Sequence, residues 1–123
     1  MDVPRISPKE LSALVSRGET ITIIDARRPE SYDRSDARIP GALRIPPERI
    51  ADAQNIPQGV AIVVYCDCPR EVTSVNVAEN LMQRNHTNVF ALRGGLNAWR
   101  DAGLPEHSPE QWKDGYEAHA PTP

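Results

Sequence analysis

The chain has 123 residues and a formal net charge of -3, with 39% hydrophobic and 25% charged residues, which is typical of one soluble globular domain. This acidic balance gives no general reason to bind nucleic acid or an anionic membrane. No apolar run approaches the roughly 18 residues of a membrane helix, and the first residues do not resemble a signal peptide, so we expect a cytoplasmic protein without a membrane segment.

The first half of the chain predicts alternating helices and strands. Ser7 can cap a helix in which Pro8 takes the first position and Glu10 completes a capping box. The β-branched run 20–24 predicts a strand that leads into Asp25. Shorter elements follow, namely a helical turn at 28–32, a small strand at 43–45 and a short helix at 48–53.

The second half continues this alternation. The apolar run 60–65 has little polar alternation, as expected of a strand buried on both faces. Apolar positions over 73–84 repeat with a helical period, residues 88–92 predict another strand, and 96–102 predict a short helix. Strands separated by helices predict an α/β fold, in which one small domain has a central, mostly parallel sheet flanked by helices on both faces.

The composition changes near the end of the chain. We expect the folded domain to cover residues 1–105. Residues 106–123 are polar and contain three prolines. We expect this C-terminal tail to be partly disordered.

Cys66 and Cys68 are the only cysteines, and Cys66 directly follows the predicted strand 60–65. Because they are so close in sequence, they cannot join distant parts of the fold as the disulfides of a secreted scaffold do. A strand that delivers a thiol into a short loop before a helix places the sulfur among backbone N–H groups, which favour an anion. We therefore expect the pKa of Cys66 to be lowered, so that Cys66 reacts faster than Cys68.

Two residues are expected beside this thiol because they follow predicted strands, whose carboxyl ends form the ligand-binding edge of such a sheet. Asp25 follows the run 20–24, and Arg93 follows the run 88–92. Asp25 is expected mainly to accept hydrogen bonds from the backbone or from Arg27, which would fix the loops. Arg93 either attracts an anionic donor or is a solvated charge.

Three segments occur in order along the chain. They are Ile24-Asp25-Ala26-Arg27 with the later Ala37-Arg38-Ile39-Pro40-Gly41-Ala42, then the strand ending in Tyr65-Cys66, and then Arg93-Gly94-Gly95-Leu96-Asn97-Ala98-Trp99 with Ala102-Gly103-Leu104-Pro105. Together they resemble the rhodanese-like (sulfurtransferase) family over about residues 5–105. The resemblance implies the small α/β domain with a parallel sheet that the periodicity also predicts.

The resemblance also implies a chemistry. Cys66 would carry sulfane sulfur as a persulfide, taken from thiosulfate or another persulfide and passed to a thiol, cyanide or a protein. A thiolate nucleophile and an anionic product both suit a loop of inward N–H groups. The residues expected to bind the donor are Asp67, Cys68, Pro69, Arg70, Glu71, Val72 and Thr73. No metal and no organic cofactor are implied, and no nucleic acid is expected as a partner.

The loop departs from the family pattern. Glu71 stands where the family has an arginine, and the hydroxyl residues Thr73 and Ser74, either of which could cap the next helix, come later than usual. The carboxylates of Asp67 and Glu71 would repel a dianionic donor unless they point outward. Val72 stands where a phosphatase of this fold would need an arginine, and this argues against phosphatase activity. The alternative interpretation is therefore a non-catalytic or weakly catalytic module for binding or redox sensing.

Cys68 has two interpretations. In the first, it attacks the persulfide on Cys66, releases sulfide and leaves a disulfide. In the second, it is a small residue that fills the loop. The sequence favours the second because a Cys-x-Cys ring is strained.

Overall fold

The computed structural model describes residues 2–108, in which a parallel sheet is covered by helices. The strands are β1 (Arg5–Ile6), β2 (Ile21–Asp25), β3 (Leu43–Arg44), β4 (Ala61–Tyr65) and β5 (Val89–Leu92). The helices are α1 (Pro8–Ser16), α2 (Pro29–Arg34), α3 (Val72–Gln83) and α4 (Gly95–Asp101), with 3₁₀ helices at Pro47–Asp52 and Pro69–Glu71. The strands pair in the order β1-β5-β4-β2-β3, and every pair is parallel. The predicted α/β fold is confirmed.

The central strand β4 separates two apolar clusters. Ile62 and Val64 belong to the cluster that α3 and the first 3₁₀ helix cover. Val63 and Tyr65 belong to the cluster that α1 and α4 cover. Both faces of β4 are thus buried, which explains why its sequence is a continuous apolar run rather than an alternating one.

The capping box predicted for α1 is confirmed. The Ser7 hydroxyl accepts a hydrogen bond from the Glu10 backbone N–H at 3.0 Å, and the Glu10 carboxylate accepts one from the Ser7 N–H at 2.8 Å. The helix then buries Leu11 completely against the sheet. The start of this helix is therefore encoded locally, in four consecutive residues.

The edge strand β1 is absent from the sequence-based prediction. Its two residues are too few to show a period, and pairing with β5 determines its conformation. Ala91 N donates to Pro4 O at 3.0 Å, and Arg93 N donates to Ile6 O at 2.8 Å. This pairing brings the Arg5 side chain within reach of the loop that follows β4.

Most of the predicted C-terminal tail, residues 109–123, lies outside the described residues. Its partial disorder and the domain boundary at 105 stay predictions. The backbones of Arg38 and His107 exchange hydrogen bonds of 3.1 and 2.8 Å. These bonds join the first residues of the predicted tail, which begins at 106, to the rest of the chain. Across residues 2–108, no helix combines the length and the apolar character that crossing a membrane requires.

Candidate active site

Cys66 lies at the carboxyl end of the central strand, and its side chain is only 1% exposed. Its carbonyl oxygen accepts a hydrogen bond from Leu96 N at the start of α4, at 2.9 Å. The preceding carbonyl, of Tyr65, accepts one from Ala26 N after β2, also at 2.9 Å. The backbone at Cys66 is therefore held by the strand, by α4 and by the loop after β2.

Two glycines allow α4 to approach Cys66 closely. Gly94 and Gly95 have φ of 74° and 61°, in the left-handed region that favours glycine. A Cβ atom on Gly95 would overlap the Cys66 carbonyl oxygen, and one on Gly94 would lie 2.5 Å from the Ala98 Cβ. Gly95 thus allows the contact that holds Cys66, and Gly94 allows the turn of backbone that begins α4.

A buried ionic network lies beneath the loop. The side chains of Asp25 and Arg27 are fully buried and are joined by Nη2–Oδ2 and Nε–Oδ1 contacts of 2.7 and 3.0 Å. The Tyr65 hydroxyl donates to Asp25 Oδ2 at 2.9 Å and accepts from Ile39 N at 3.2 Å. Because Tyr65 directly precedes Cys66, this network fixes the end of the strand that carries the thiol. It contains the hydrogen bonds expected between Asp25 and Arg27.

Burial and hydrogen bonds set the charge states in this network. Burial alone would lower the pKa of Arg27, but its hydrogen bonds and ion pair with Asp25 outweigh that effect and hold the pKa above its ordinary value. Burial raises the pKa of Tyr65, and the negative charge of Asp25 raises it further, so the phenol stays neutral and donates. Arg44 Nη1 closes the network by donating to the carbonyl oxygens of Arg27 and Asp25 at 2.6 and 3.2 Å.

The two cysteines meet at the start of the loop. Both are free thiols, and their Sγ atoms are 2.9 Å apart. The Thr73 backbone N–H donates to Cys68 Sγ at 3.3 Å. Cys68 is partly exposed, whereas Cys66 is buried beneath it. The pair therefore has one inner and one outer sulfur.

The pKa values of the two thiols move in opposite directions. Burial and the hydrogen bond to Cys68 raise the pKa of Cys66 to about 11, outweighing the hydroxyl of Ser74 and the backbone N–H groups of Cys68 and Ser74, which lower it. Burial also acts to raise the pKa of Cys68, but hydrogen bonds from Cys66 and Thr73 stabilise its thiolate, and the net pKa is lowered. The prediction that Cys66 is the more acidic thiol is wrong, because the outer sulfur retains contact with water and takes the charge.

The middle of the loop has an unusual backbone. Arg70 and Glu71 have φ of 59° and 56°, a conformation that costs L-residues energy. Arg70 is exposed, and the Glu71 carboxylate accepts a hydrogen bond from Arg5 Nε at 2.8 Å. The Arg5 guanidinium therefore offsets the Glu71 charge that was expected to repel an anionic donor.

The loop ends at Glu71, because α3 begins at Val72. Thr73 and Ser74 are buried in the first turn, where the Ser74 hydroxyl donates to Glu71 O at 3.1 Å. The expectation that Thr73 or Ser74 caps this helix is wrong, since the N-cap position is Glu71 and no side chain caps it. Two left-handed residues move the start of the helix ahead of the hydroxyl pair.

The remaining predicted site residues differ in their exposure and in the charges on which they act. Asp67 is half-buried, and its charge acts on Arg27. Pro69 begins the second 3₁₀ helix, and Val72 is exposed. Arg93 is exposed after β5, and its charge acts on Glu10 of α1.

Sequence reasoning missed residues that hold the loop from outside it. The most important are Arg5, Tyr65, Ile39 and Arg44. Tyr65 carries a usable signal, since a tyrosine in an otherwise aliphatic buried strand needs a partner for its hydroxyl. Arg5 carries none, because its partner Glu71 is distant in sequence and the two-residue strand β1 that contains Arg5 is not apparent locally.

The chain is similar to proteins of one family over most of its length. A family model described as Rhodanese-like domain matches residues 7–102. A sulfurtransferase of Allochromatium vinosum is 32% identical over 112 residues, covering 88% of this chain and 98% of that protein. Thiosulfate sulfurtransferase GlpE of Pseudomonas entomophila is 30% identical over 97 residues, covering 78% and 84%. The solved rhodanese-like domain of the Anabaena sp. Alr3790 protein has a TM-score of 0.73 and 25% identity, covering 100% of this chain and 87% of that chain.

Proposed function

The chain belongs to the rhodanese-like domain family, and on that premise we propose that it is a sulfurtransferase with Cys66 as the sulfur carrier. The donor is thiosulfate or another persulfide, and the acceptor is a thiol, cyanide or a protein. The observation that carries the proposal is the placement of Cys66 between the central strand and α3, where the backbone N–H groups of Cys68 and Ser74 counteract the effect of burial on the pKa of its thiol.

Ionisation of Cys66 must be reconciled with its raised pKa. The two thiols are in contact at 2.9 Å, so removing one proton leaves a single proton shared between two sulfurs. When that proton lies on Cys68, Cys66 is a thiolate and can attack. The Cys68 thiolate therefore acts as the base that takes the Cys66 proton within the pair, and no base outside the pair is needed.

Loading then follows a simple displacement. Cys66 Sγ forms a bond to the outer sulfur of thiosulfate, the S–S bond of the donor breaks, and sulfite leaves with the bonding electron pair. The N–H groups of Cys68 and Ser74, which already favour a negative charge on Cys66, stabilise the persulfide anion. An acceptor nucleophile removes the outer sulfur and restores the thiolate.

The charges around the loop are compatible with the binding of an anionic donor. The Glu71 carboxylate is paired with Arg5, and Asp67 lies in the field of Arg27. Arg70 remains as an exposed cation in the loop. Both cysteines are free thiols, which suits the reducing cytoplasm that we propose as the location.

Intact-mass spectrometry tests the carrier. We use Cys68→Ser, so that only one thiol can hold sulfur, and incubate it with thiosulfate or with a low-molecular-weight persulfide, both at pH 7 and at a pH high enough to ionise Cys66 without Cys68. The protein should gain the mass of one sulfur atom, whereas the matched double variant Cys66→Ser/Cys68→Ser should gain none. If neither donor adds sulfur to Cys68→Ser, the sulfurtransferase proposal fails and the binding or redox-sensing module replaces it.

A further inference from the structure

We propose that Cys68 is a resolving thiol. Once Cys66 carries sulfane sulfur, Cys68 attacks Cys66 Sγ, sulfide leaves, and the two cysteines become a disulfide. The inference rests on the proposed function for its loading step. It reverses the preference of the sequence, which favours Cys68 as a residue that only fills the loop.

The distance between the sulfurs carries this proposal. Cys66 Sγ and Cys68 Sγ are 2.9 Å apart, and a disulfide bond is about 2 Å long, so a movement of about 1 Å closes the bond. The two side chains already face each other. The ring strain expected from the sequence therefore does not prevent the sulfurs from reaching contact.

The same distance decides which sulfur is attacked. Thiolate attack on a disulfide or persulfide is in line with the bond that breaks. In-line attack on the outer sulfur would require Cys68 Sγ to lie on the far side of that atom. Its distance from Cys66 Sγ would then be one S–S bond of about 2 Å plus the contact distance between the attacking and the outer sulfur, which is longer than the contact observed. Direct contact with Cys66 Sγ suits attack on the inner sulfur, which expels the outer sulfur rather than relaying it to Cys68.

The surroundings of Cys68 prepare it as the attacking group. The Thr73 N–H donates to its sulfur at 3.3 Å, and its carbonyl accepts from Glu71 N at 3.3 Å, so both the side chain and the backbone are oriented. These contacts agree with the lowered pKa of Cys68, which increases its thiolate fraction.

The step balances in atoms and electrons. The Cys68 thiol gives its proton to the outer sulfur, and its electron pair forms the new bond to Cys66 Sγ. The bond between Cys66 Sγ and the outer sulfur breaks, and that sulfur leaves as HS⁻. The sulfane sulfur is thereby reduced to sulfide, and the two cysteine thiols are oxidised to one disulfide.

An external low-molecular-weight thiol completes the cycle. It attacks Cys68 Sγ, the exposed sulfur of the disulfide, and Cys66 leaves as a thiolate into the N–H groups around it. A second thiol molecule then releases Cys68 and forms the disulfide of the external thiol. Ring strain makes such a disulfide easy to reduce. The protein would therefore release sulfide whenever no acceptor takes the sulfur first.

Loading without external thiol tests the resolving step. After thiosulfate treatment, wild type should lose the mass of two hydrogens and release an equimolar amount of sulfide, trapped with monobromobimane. Cys68→Ser, treated at a pH high enough to ionise Cys66 without Cys68, should instead gain one sulfur atom and release no sulfide. If wild type keeps the added sulfur and releases none, the resolving role is overturned while the carrier stands. If Cys68→Ser gains no sulfur, the proposed function itself fails, and the inference fails with it.

A second measurement tests the pair independently of sulfur loading. Oxidised glutathione should convert reduced wild type to the Cys66–Cys68 disulfide, with loss of two hydrogens and no lasting adduct. The matched variant Cys66→Ser should keep a glutathione adduct on Cys68, because no second thiol resolves it. A stable glutathione adduct on wild type would contradict the resolving geometry.

Discussion

At the residue scale, one loop gives two cysteines different chemistry. Cys66 is buried and held through its carbonyl by α4, whereas Cys68 is partly exposed and receives hydrogen bonds from Cys66 and Thr73. Burial disfavours a charge on the inner sulfur, and donors favour a charge on the outer one. The inner position suits a carrier, and the outer position suits contact with solvent.

Alkylation measures this difference. At pH 7, iodoacetamide should modify Cys68 faster than Cys66, because Cys68 is more exposed and its pKa is lowered. The rate at Cys68 should reach half its maximum at a pH below the ordinary cysteine pKa, as measured by peptide mass spectrometry. In Cys66→Ala, the donor to Cys68 is lost, so this midpoint should move upward. Faster modification of Cys66 in wild type would contradict the assigned pKa directions.

The buried ion pair gives a stability prediction. Asp25→Asn leaves the fully buried Arg27 without its counter-ion, and breaking such a pair costs about 3–5 kcal/mol. The free energy of unfolding in urea measures this loss. The matched control is Asp36→Asn, which removes an exposed partner of Arg100 and should cost less than about 1 kcal/mol. Equal losses in the two variants would show that burial does not increase the contribution of the Asp25–Arg27 ion pair to the free energy of unfolding.

At the scale of elements, the loop is held by two pieces of structure that are remote in sequence. The N-terminus of α4 contacts the Cys66 carbonyl through Leu96, and the edge strand β1 supplies Arg5 to Glu71. Each is attached to the sheet through β5 or the cluster beneath it. The loop can therefore keep two left-handed residues that isolated chains avoid.

Gly95→Ala tests the contact between α4 and the thiol. The added Cβ would overlap the Cys66 carbonyl oxygen, and the positive φ adds a strain of about 1–2 kcal/mol. Gly103→Ala is the matched control, since it has φ of 72° but no atom within 4 Å of the added Cβ. We expect Gly95→Ala to lose more unfolding free energy than Gly103→Ala and to slow sulfur loading of Cys66. Similar effects of the two variants would remove the proposed role of Gly95.

At the scale of the whole molecule, the sheet order explains where the site lies. β4 is central, so its carboxyl end is surrounded by the loops that follow its neighbours β2 and β5. In a parallel sheet these loops meet at one edge. The thiol is thus attached to the most enclosed strand while its loop stays at the surface.

Hydrogen exchange should reflect this arrangement. Amides of β4, β2 and β5 should exchange most slowly, because these three strands pair on both sides, whereas the two-residue edge strands β1 and β3 should exchange early. Hydrogen–deuterium exchange with mass spectrometry resolves these segments. Exchange of β4 as early as β1 would contradict a sheet centred on the cysteine-bearing strand.

Features encoded over a few consecutive residues could be predicted from the sequence. The capping box at Ser7 and Glu10, the buried run of β4 and the position of Cys66 after it all follow from local chemistry and periodicity. Such signals depend on neighbours within one or two turns. These local signals were sufficient to predict the α/β fold, the parallel sheet and the edge of the sheet at which the thiol lies.

Features that depend on residues far apart in sequence were decided by the tertiary structure alone. The strand β1 exists only through its pairing with β5, and the charge of Glu71 is offset only because that pairing brings Arg5 to it. The order of the two thiol pKa values depends on how deeply each sulfur lies and which donors surround it. Burial and electrostatic contacts are properties of the packed chain, and this is why the sequence located the reactive pair but assigned the charge to the wrong sulfur.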